Sequence, residues 1–106
     1  MKLGLVIHST DAEALWNGFR LGVFALKAGD EAKAFLFARG VECESHTVEP
    51  FKVKKMMQDF VDAGGRILAC GACLRLRNLQ GTDFCPLSTM EDLHELIRDS
   101  DKVLAI

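Results

Sequence analysis

Two cysteines, Cys70 and Cys73, are the side chains of this sequence best suited to chemistry. They follow a short apolar run, residues 67–69, and precede a segment compatible with a helix. Read as a strand, a tight turn at Gly71 and a helix, this pattern puts Cys70 at a helix N-terminus, where free N–H groups and the helix dipole favour an anion. The thiolate is the nucleophilic form of cysteine. The pattern therefore predicts a reactive Cys70, with Cys73 close enough to form a disulfide with it or to remove a group bound to it.

Two arginines, Arg75 and Arg77, follow within two helical turns of Cys70. Their positive charges would favour a thiolate. The competing interpretation places both arginines on a solvated helix surface and buries the two cysteines as small apolar side chains. The position of the pair directly after a strand favours a functional role.

A zinc site is the competing chemistry for these thiols. Structural zinc usually takes four ligands, often from two Cys-x-x-Cys pairs. The chain has one such pair, and its other cysteines and histidines are scattered: Cys43, Cys85, His8, His46 and His94. Because Cys43 and His46 have ligand-like spacing, a mixed site would form if their loop folded over the end of the third strand. Without zinc, Cys43 and His8 remain candidates for residues that bind at the site or tune its thiols.

The elements that position these residues alternate between strands and helices. Apolar runs predict five strands, at residues 2–8, 32–37, 66–70, 84–87 and 102–106. Amphipathic patterns predict four helices, one from a capping box at Thr10 to about Lys27, one opened by Pro50 and stopped by Gly64 and Gly65, one over residues 71–79, and one from a capping box at Ser88 through Ile97. This order implies a parallel sheet with helices on both faces and right-handed crossovers.

The carboxyl ends of the strands are where ligands bind in such sheets. Three segments end there: residues 8–10, a polar loop over residues 38–47, and Cys70 with Gly71. Loops of this length are often functional, and this one contains Cys43. We therefore expect a mobile loop near Cys70.

The composition limits the classes of protein. The chain has 106 residues, 49% of them hydrophobic, and a formal net charge of -2. This predicts one domain, residues 1–106, that folds without disulfides and has no charge-driven affinity for nucleic acid or membranes. The apolar run at residues 3–7 is too short for a signal peptide, so we expect a cytoplasmic protein with reduced thiols. No glycine-rich phosphate loop precedes a helix, and no cofactor is expected.

The sequence resembles the DsrE/DsrF-like (YchN-like) family of small sulfur-handling proteins over nearly its full length. The resemblance depends most on residues 70–77, because a cysteine that ends the third strand and an arginine seven residues later are typical of the family; Cys70 and Arg77 match. Asn78 replaces the usual glycine, and Cys73 matches a subgroup with two cysteines. The resemblance implies a three-layer α/β/α fold with a parallel five-stranded sheet and assembly into homotrimers or homohexamers. It also implies a family cysteine that takes sulfane sulfur from a donor protein as a persulfide and passes it to an acceptor protein.

The sequence is compatible with three functions. The first is a sulfur carrier, in which Cys70 holds the sulfur, Arg77 favours the charged forms and Cys73 is the resolving thiol. The second is a thiol–disulfide oxidoreductase that uses the same two cysteines. The third is a non-catalytic assembly subunit or a zinc-binding module, so whether the protein is an enzyme stays open.

Overall fold

A computed structural model describes all 106 residues as an α/β fold with a five-stranded parallel sheet and helices on both sides, as predicted. The strands are β1 (Lys2–Ile7), β2 (Glu31–Leu36), β3 (Arg66–Cys70), β4 (Leu87–Ser88) and β5 (Lys102–Ala105). Their order across the sheet is β4-β3-β2-β1-β5. The three inner strands are the most apolar because both of their faces are covered.

Four α-helices and one 3₁₀ helix connect the strands. The α-helices are α1 (Ala12–Lys27), α2 (Val53–Asp62), α3 (Gly71–Leu76) and α4 (Met90–Asp99), and the 3₁₀ segment is Ala38–Ser45. On one face α1 packs against α2, where the ring centroids of Phe19 and Phe60 lie 5.6 Å apart. On the other face α4 covers β1 so closely that a Cβ added to Gly4 would lie 2.7 Å from Leu96.

The right-handed connections between strands explain which helices lie on each face of the sheet. The first four strands are added in order across the sheet, and the chain then returns to place β5 beyond β1. Right-handed crossovers in opposite directions put α1 and α2 on one face and α4 on the other. Since α3 packs against the 3₁₀ segment, which packs against α2, α3 lies on the same face as α2. The connections that leave the neighbouring strands β3 and β4 therefore go to opposite faces, and their direction reverses there. Cys70 ends β3 at this reversal, the position where ligands bind in open parallel sheets.

Several predicted boundaries are wrong by a few residues. The caps of α1 and α4 lie one residue later than predicted. The Asp11 carboxylate accepts the N–H of Ala14 at 2.8 Å, and Thr89 forms the capping box with Asp92. The second helix begins at Val53 and not at Pro50, because Pro50 lies in a turn closed by the Phe51 N–H on the Val48 carbonyl.

The region after β2 differs more from the prediction. The loop expected to be irregular over residues 38–47 forms the 3₁₀ segment. The third helix ends at Leu76, and the fourth strand is confined to Leu87 and Ser88. On α4, Met90 is 64% exposed and Ile97 is also exposed, although both were predicted to be buried. Only Leu93 and Leu96 of that helix are buried.

Gly40 fixes the position of the 3₁₀ segment against β1. A Cβ at residue 40 would collide with the backbone carbonyl of Ile7. Gly40→Ala should therefore lower the free energy of unfolding by about 2 kcal/mol, typical of an overpacked interior. Urea denaturation measures this change. The neighbouring Arg39 is exposed, so Arg39→Ala should stay within about 0.5 kcal/mol of wild type. Equal stabilities of the two variants would contradict the assignment.

Candidate functional site

Cys70 is both the last residue of β3 and the N-cap of α3, as the strand–turn–helix pattern predicts. Its backbone is extended, with φ -61° and ψ 117°, and its neighbour in the β3–β4 ladder is Ser88. The residue is only 4% exposed. The thiol therefore lies at the edge of the core, at the first turn of a short helix.

The surroundings of Cys70 favour its thiolate. Burial acts to raise the pKa of Cys70, but hydrogen bonding from the N–H and side chain of Cys73, the N–H of Ala72 and the charge of Arg75 outweigh it, so the pKa is lowered. Hydrogen bonds to the charged form and a nearby opposite charge both stabilise an anion. Cys70 is thus the member of the pair that ionises first.

Arg75 is the cation whose charge helps to lower the pKa of Cys70. Because Gly71 has no Cβ, it leaves room for the Arg75 side chain. A Cβ built on Gly71 would lie 3.2 Å from the Arg75 Nη1 atom and 3.0 Å from Leu87. The expectation that Gly71 supplies special turn geometry is wrong, because its φ is not positive and it begins α3 directly. Its small size, not its flexibility, suits this position.

Cys73 is the more exposed cysteine of the pair and is held by the 3₁₀ segment. Its Sγ accepts the backbone N–H of Ala38, with a donor–acceptor distance of 3.1 Å. Burial and the neighbouring Cys70 raise the pKa of Cys73, although the Ala38 N–H opposes them. The pair therefore divides its roles, because the surroundings favour the thiolate at Cys70 and the protonated thiol at Cys73.

Arg77 forms an ion pair that could not be predicted from local sequence. Its Nε donates to the Glu42 carboxylate at 2.9 Å, and its Nη1 donates to the Cys73 carbonyl at 3.0 Å. It therefore ties the 3₁₀ segment to α3. Glu42 lies in the loop predicted to be functional. It is too far from Arg77 along the chain for a local sequence motif to indicate the ion pair.

A model of the DsrE/DsrF-like family matches residues 1–106. The chain belongs to the DsrE/DsrF-like family. This family is associated with sulfur relay. The residue at the usual glycine position, Asn78, adopts a φ of 55° at the end of α3, which confirms that asparagine accommodates the left-handed geometry expected there.

Two individual proteins are similar to this chain, one in sequence and one in fold. The chain is 31% identical to an uncharacterized protein from Methanopyrus kandleri over 98 residues, which cover 87% of this chain and 81% of that protein. The solved structure of a conserved protein of unknown function from Bacteroides thetaiotaomicron matches with a TM-score of 0.80. At 16% identity, covering 99% of this chain and 94% of that one, it supports the fold alone.

The two other cysteines of this DsrE/DsrF-like chain are buried, and their pKa values are raised. Cys43 is fully buried, its thiol contacts the Met57 sulfur at 3.5 Å, and burial raises its pKa to about 12. The Cys85 thiol donates to the Glu44 carboxylate at 3.4 Å, and burial likewise raises the pKa of Cys85. Cys43 therefore packs in the core and not on an irregular loop, and a binding role for it stays a prediction.

The histidines do not assemble with the thiols into a metal site. His8 is exposed at the end of β1, and its ring packs edge-on against Phe37 at 5.9 Å, so its role in tuning a thiol stays a prediction. The His46 Nε2 atom is buried without a hydrogen-bond partner. No three His, Cys, Asp or Glu side chains are grouped to hold a metal ion, so the zinc alternative lacks a ligand set.

Alkylation should reveal the division of roles within the pair. The rate at which iodoacetamide modifies Cys70 should rise with pH about a midpoint below the ordinary pKa of cysteine, since the thiolate is the reacting form. Arg75→Gln should move this midpoint upward because it removes the stabilising charge. Mass spectrometry of the modified peptides separates Cys70 from Cys73. Arg98→Gln, in the last turn of α4, is the control, and an unchanged midpoint in Arg75→Gln would contradict the role of Arg75.

Proposed function

We propose that this protein carries sulfane sulfur as a persulfide on Cys70. The observation that carries the proposal is the position of Cys70 at the carboxyl end of a parallel strand and at the N-cap of α3. There, against the effect of burial, N–H groups and Arg75 lower the pKa of its thiol. An anionic nucleophile at that position suits the transfer of a sulfur atom between thiols. Membership of a family associated with sulfur relay supports the same reaction.

The loading step is a thiolate displacement. The Cys70 thiolate attacks the outer sulfur of a donor persulfide, the new S–S bond forms on Cys70, and the donor leaves as a thiolate. No electrons are gained or lost overall. The N–H groups of Ala72 and Cys73 and the charge of Arg75, which stabilise the Cys70 thiolate, would stabilise the persulfide anion in the same way.

Two routes of discharge follow from the position of Cys73. An acceptor thiolate attacks the outer sulfur and takes it, which restores the Cys70 thiolate. Alternatively, the Cys73 thiolate attacks the inner sulfur, so that a Cys70–Cys73 disulfide forms and hydrosulfide leaves with the electron pair of the broken S–S bond. The second route requires a later reductant to restore the two thiols.

Mass spectrometry after incubation with a persulfide donor tests the carrier. Wild type should gain the mass of one sulfur atom on the peptide that contains Cys70, and Cys70→Ser should not gain it. Cys85→Ser makes the same substitution at a buried, hydrogen-bonded thiol and should load like wild type. Cys73→Ser should load and then hold its sulfur longer, because the internal route is closed. Loading of Cys70→Ser to the wild-type level would refute the assignment.

A thiol–disulfide oxidoreductase is the second candidate, because the same two cysteines lie one helical turn apart and one of them has a lowered pKa. Catalysis of insulin reduction by wild type, without sulfur loading, would favour this candidate. A non-catalytic subunit would show neither activity, whether or not Cys70 is present.

We also propose that this domain, residues 1–106, acts as a homotrimer or homohexamer in the cytoplasm, with donor and acceptor proteins as its partners. Free cysteines suit a reducing compartment. No helix has the length and apolar character needed to cross a bilayer. Exposed apolar side chains lie together near the edge strand β5, where Leu21, Phe24 and Leu104 line one depression. Such a surface favours contact with another chain.

Light scattering coupled to size-exclusion chromatography tests the assembly. Wild type should have the mass of a trimer or hexamer, and Phe24→Ser should reduce it, because Phe24 is 73% exposed on that surface. Val48→Ser replaces an exposed apolar residue outside the depression and should leave the mass unchanged. A monomeric wild type would contradict the proposal.

A further inference from the structure

The 3₁₀ segment, Ala38–Ser45, lies against both elements that meet at Cys70, namely β3 and α3. Three side-chain contacts attach it to α3 and to the chain that follows. The Ala38 N–H donates to the Cys73 sulfur, Arg77 pairs with Glu42, and the Cys85 thiol donates to Glu44. Two of these three contacts use a cysteine sulfur, so the attachment of the segment depends on the state of thiols.

The contact at Ala38 is the one that lies at the reacting pair. Ala38 has a φ of 52°, a left-handed conformation that is unfavourable for a residue with a Cβ. This conformation aims its N–H at the Cys73 sulfur. Strained backbone of this kind persists where the surroundings hold it in place, and here the sulfur is one of the groups that hold it.

A disulfide between Cys70 and Cys73 would weaken that acceptor. The two residues are the N-cap and the third residue of one helical turn, a spacing within reach of a disulfide. The Cys73 sulfur, which already hydrogen-bonds Cys70, must move closer to Cys70 to form the bond, and as a disulfide sulfur it can no longer ionise to strengthen its bond from the Ala38 N–H. Ala38 would then keep its unfavourable backbone with a weaker hydrogen bond.

The segment contains one buried thiol, and the rate at which that thiol is labelled measures whether the middle of the segment separates from the core. Cys43 belongs to the segment, is fully buried and contacts Met57 of α2. The Glu42–Arg77 ion pair and the hydrogen bond from Cys85 to Glu44 take no part in the Cys70–Cys73 disulfide, so they would hold the segment on both sides of Cys43 while the end at Ala38 separates.

We propose that the 3₁₀ segment is a thiol-dependent cover over the pair, closed in the dithiol state and released at its Ala38 end when Cys70 and Cys73 form a disulfide. The inference rests on the proposed function for the source of that disulfide, which is the attack of Cys73 on the persulfide with loss of hydrosulfide. Release increases the exposure of Cys70, which is 4% exposed in the closed state, next to a Cys73 that is already partly exposed. A thiol reductant then attacks the disulfide, two of its thiols are oxidised to their own disulfide, and the two protein thiols are restored.

Hydrogen exchange and thiol labelling of the whole protein test the cover. The reduced protein is compared with protein oxidised by diamide, a reagent that forms the disulfide without sulfur transfer, and peptide mapping verifies the Cys70–Cys73 bond. Oxidation should speed exchange of the amides of residues 38–41 about 10-fold or more, and reduction should reverse this change. Labelling of Cys43 by N-ethylmaleimide should stay slow, because Glu42 and Glu44 remain attached on either side of it. Exchange in β1 should not change, which separates local release from unfolding.

Cys73→Ser is the matched control, because serine can still accept the Ala38 N–H but cannot form the disulfide. Its exchange and labelling should not respond to diamide. Equal rates of amide exchange at the Ala38 end of the segment in the reduced and disulfide forms of wild type would overturn the proposed cover. If the cover responds to diamide but the persulfide experiment fails, the proposed function is refuted and the cover stands.

Discussion

The stabilisation of one anion at the junction of β3 and α3 is the interaction on which the site depends. Cys70 can hold negative charge there because the sheet delivers it to the first turn of a helix, with N–H groups beneath it and Arg75 beside it. Both conditions come from the fold, since the strand must end at that residue and the helix must begin at the next one. The thiols of Cys43 and Cys85 lack these conditions, and burial keeps them protonated.

Much of this arrangement could be predicted from local sequence. The apolar run that ends at Cys70 predicts β3 correctly, and Asn78 takes the backbone conformation expected from its place in the motif. The helix boundaries were less accurate because two adjacent residues at each N-terminus, such as Ser88 and Thr89, are both suitable caps. Only tertiary packing decides between them.

The partners of the pair could not be predicted in the same way. Ala38 contributes a backbone N–H, which no residue type signals, and Glu42 meets Arg77 across 35 positions of the chain. The two arginines also divide their roles. Arg75 acts on Cys70, whereas Arg77 ties the 3₁₀ segment to α3, and their positions in the sequence alone do not tell which of them faces the thiol.

The burial of Cys43 and Cys85 has a practical consequence for anyone who studies this protein. All four cysteines are free, but only two of them belong to the site. A colorimetric thiol titration of the native protein should therefore react fastest with Cys70, whose pKa is lowered, and slowest with Cys43 and Cys85, whose pKa values are raised by burial. The same titration in strong denaturant should react with all four thiols. The difference between the two titrations measures how much of a preparation is folded.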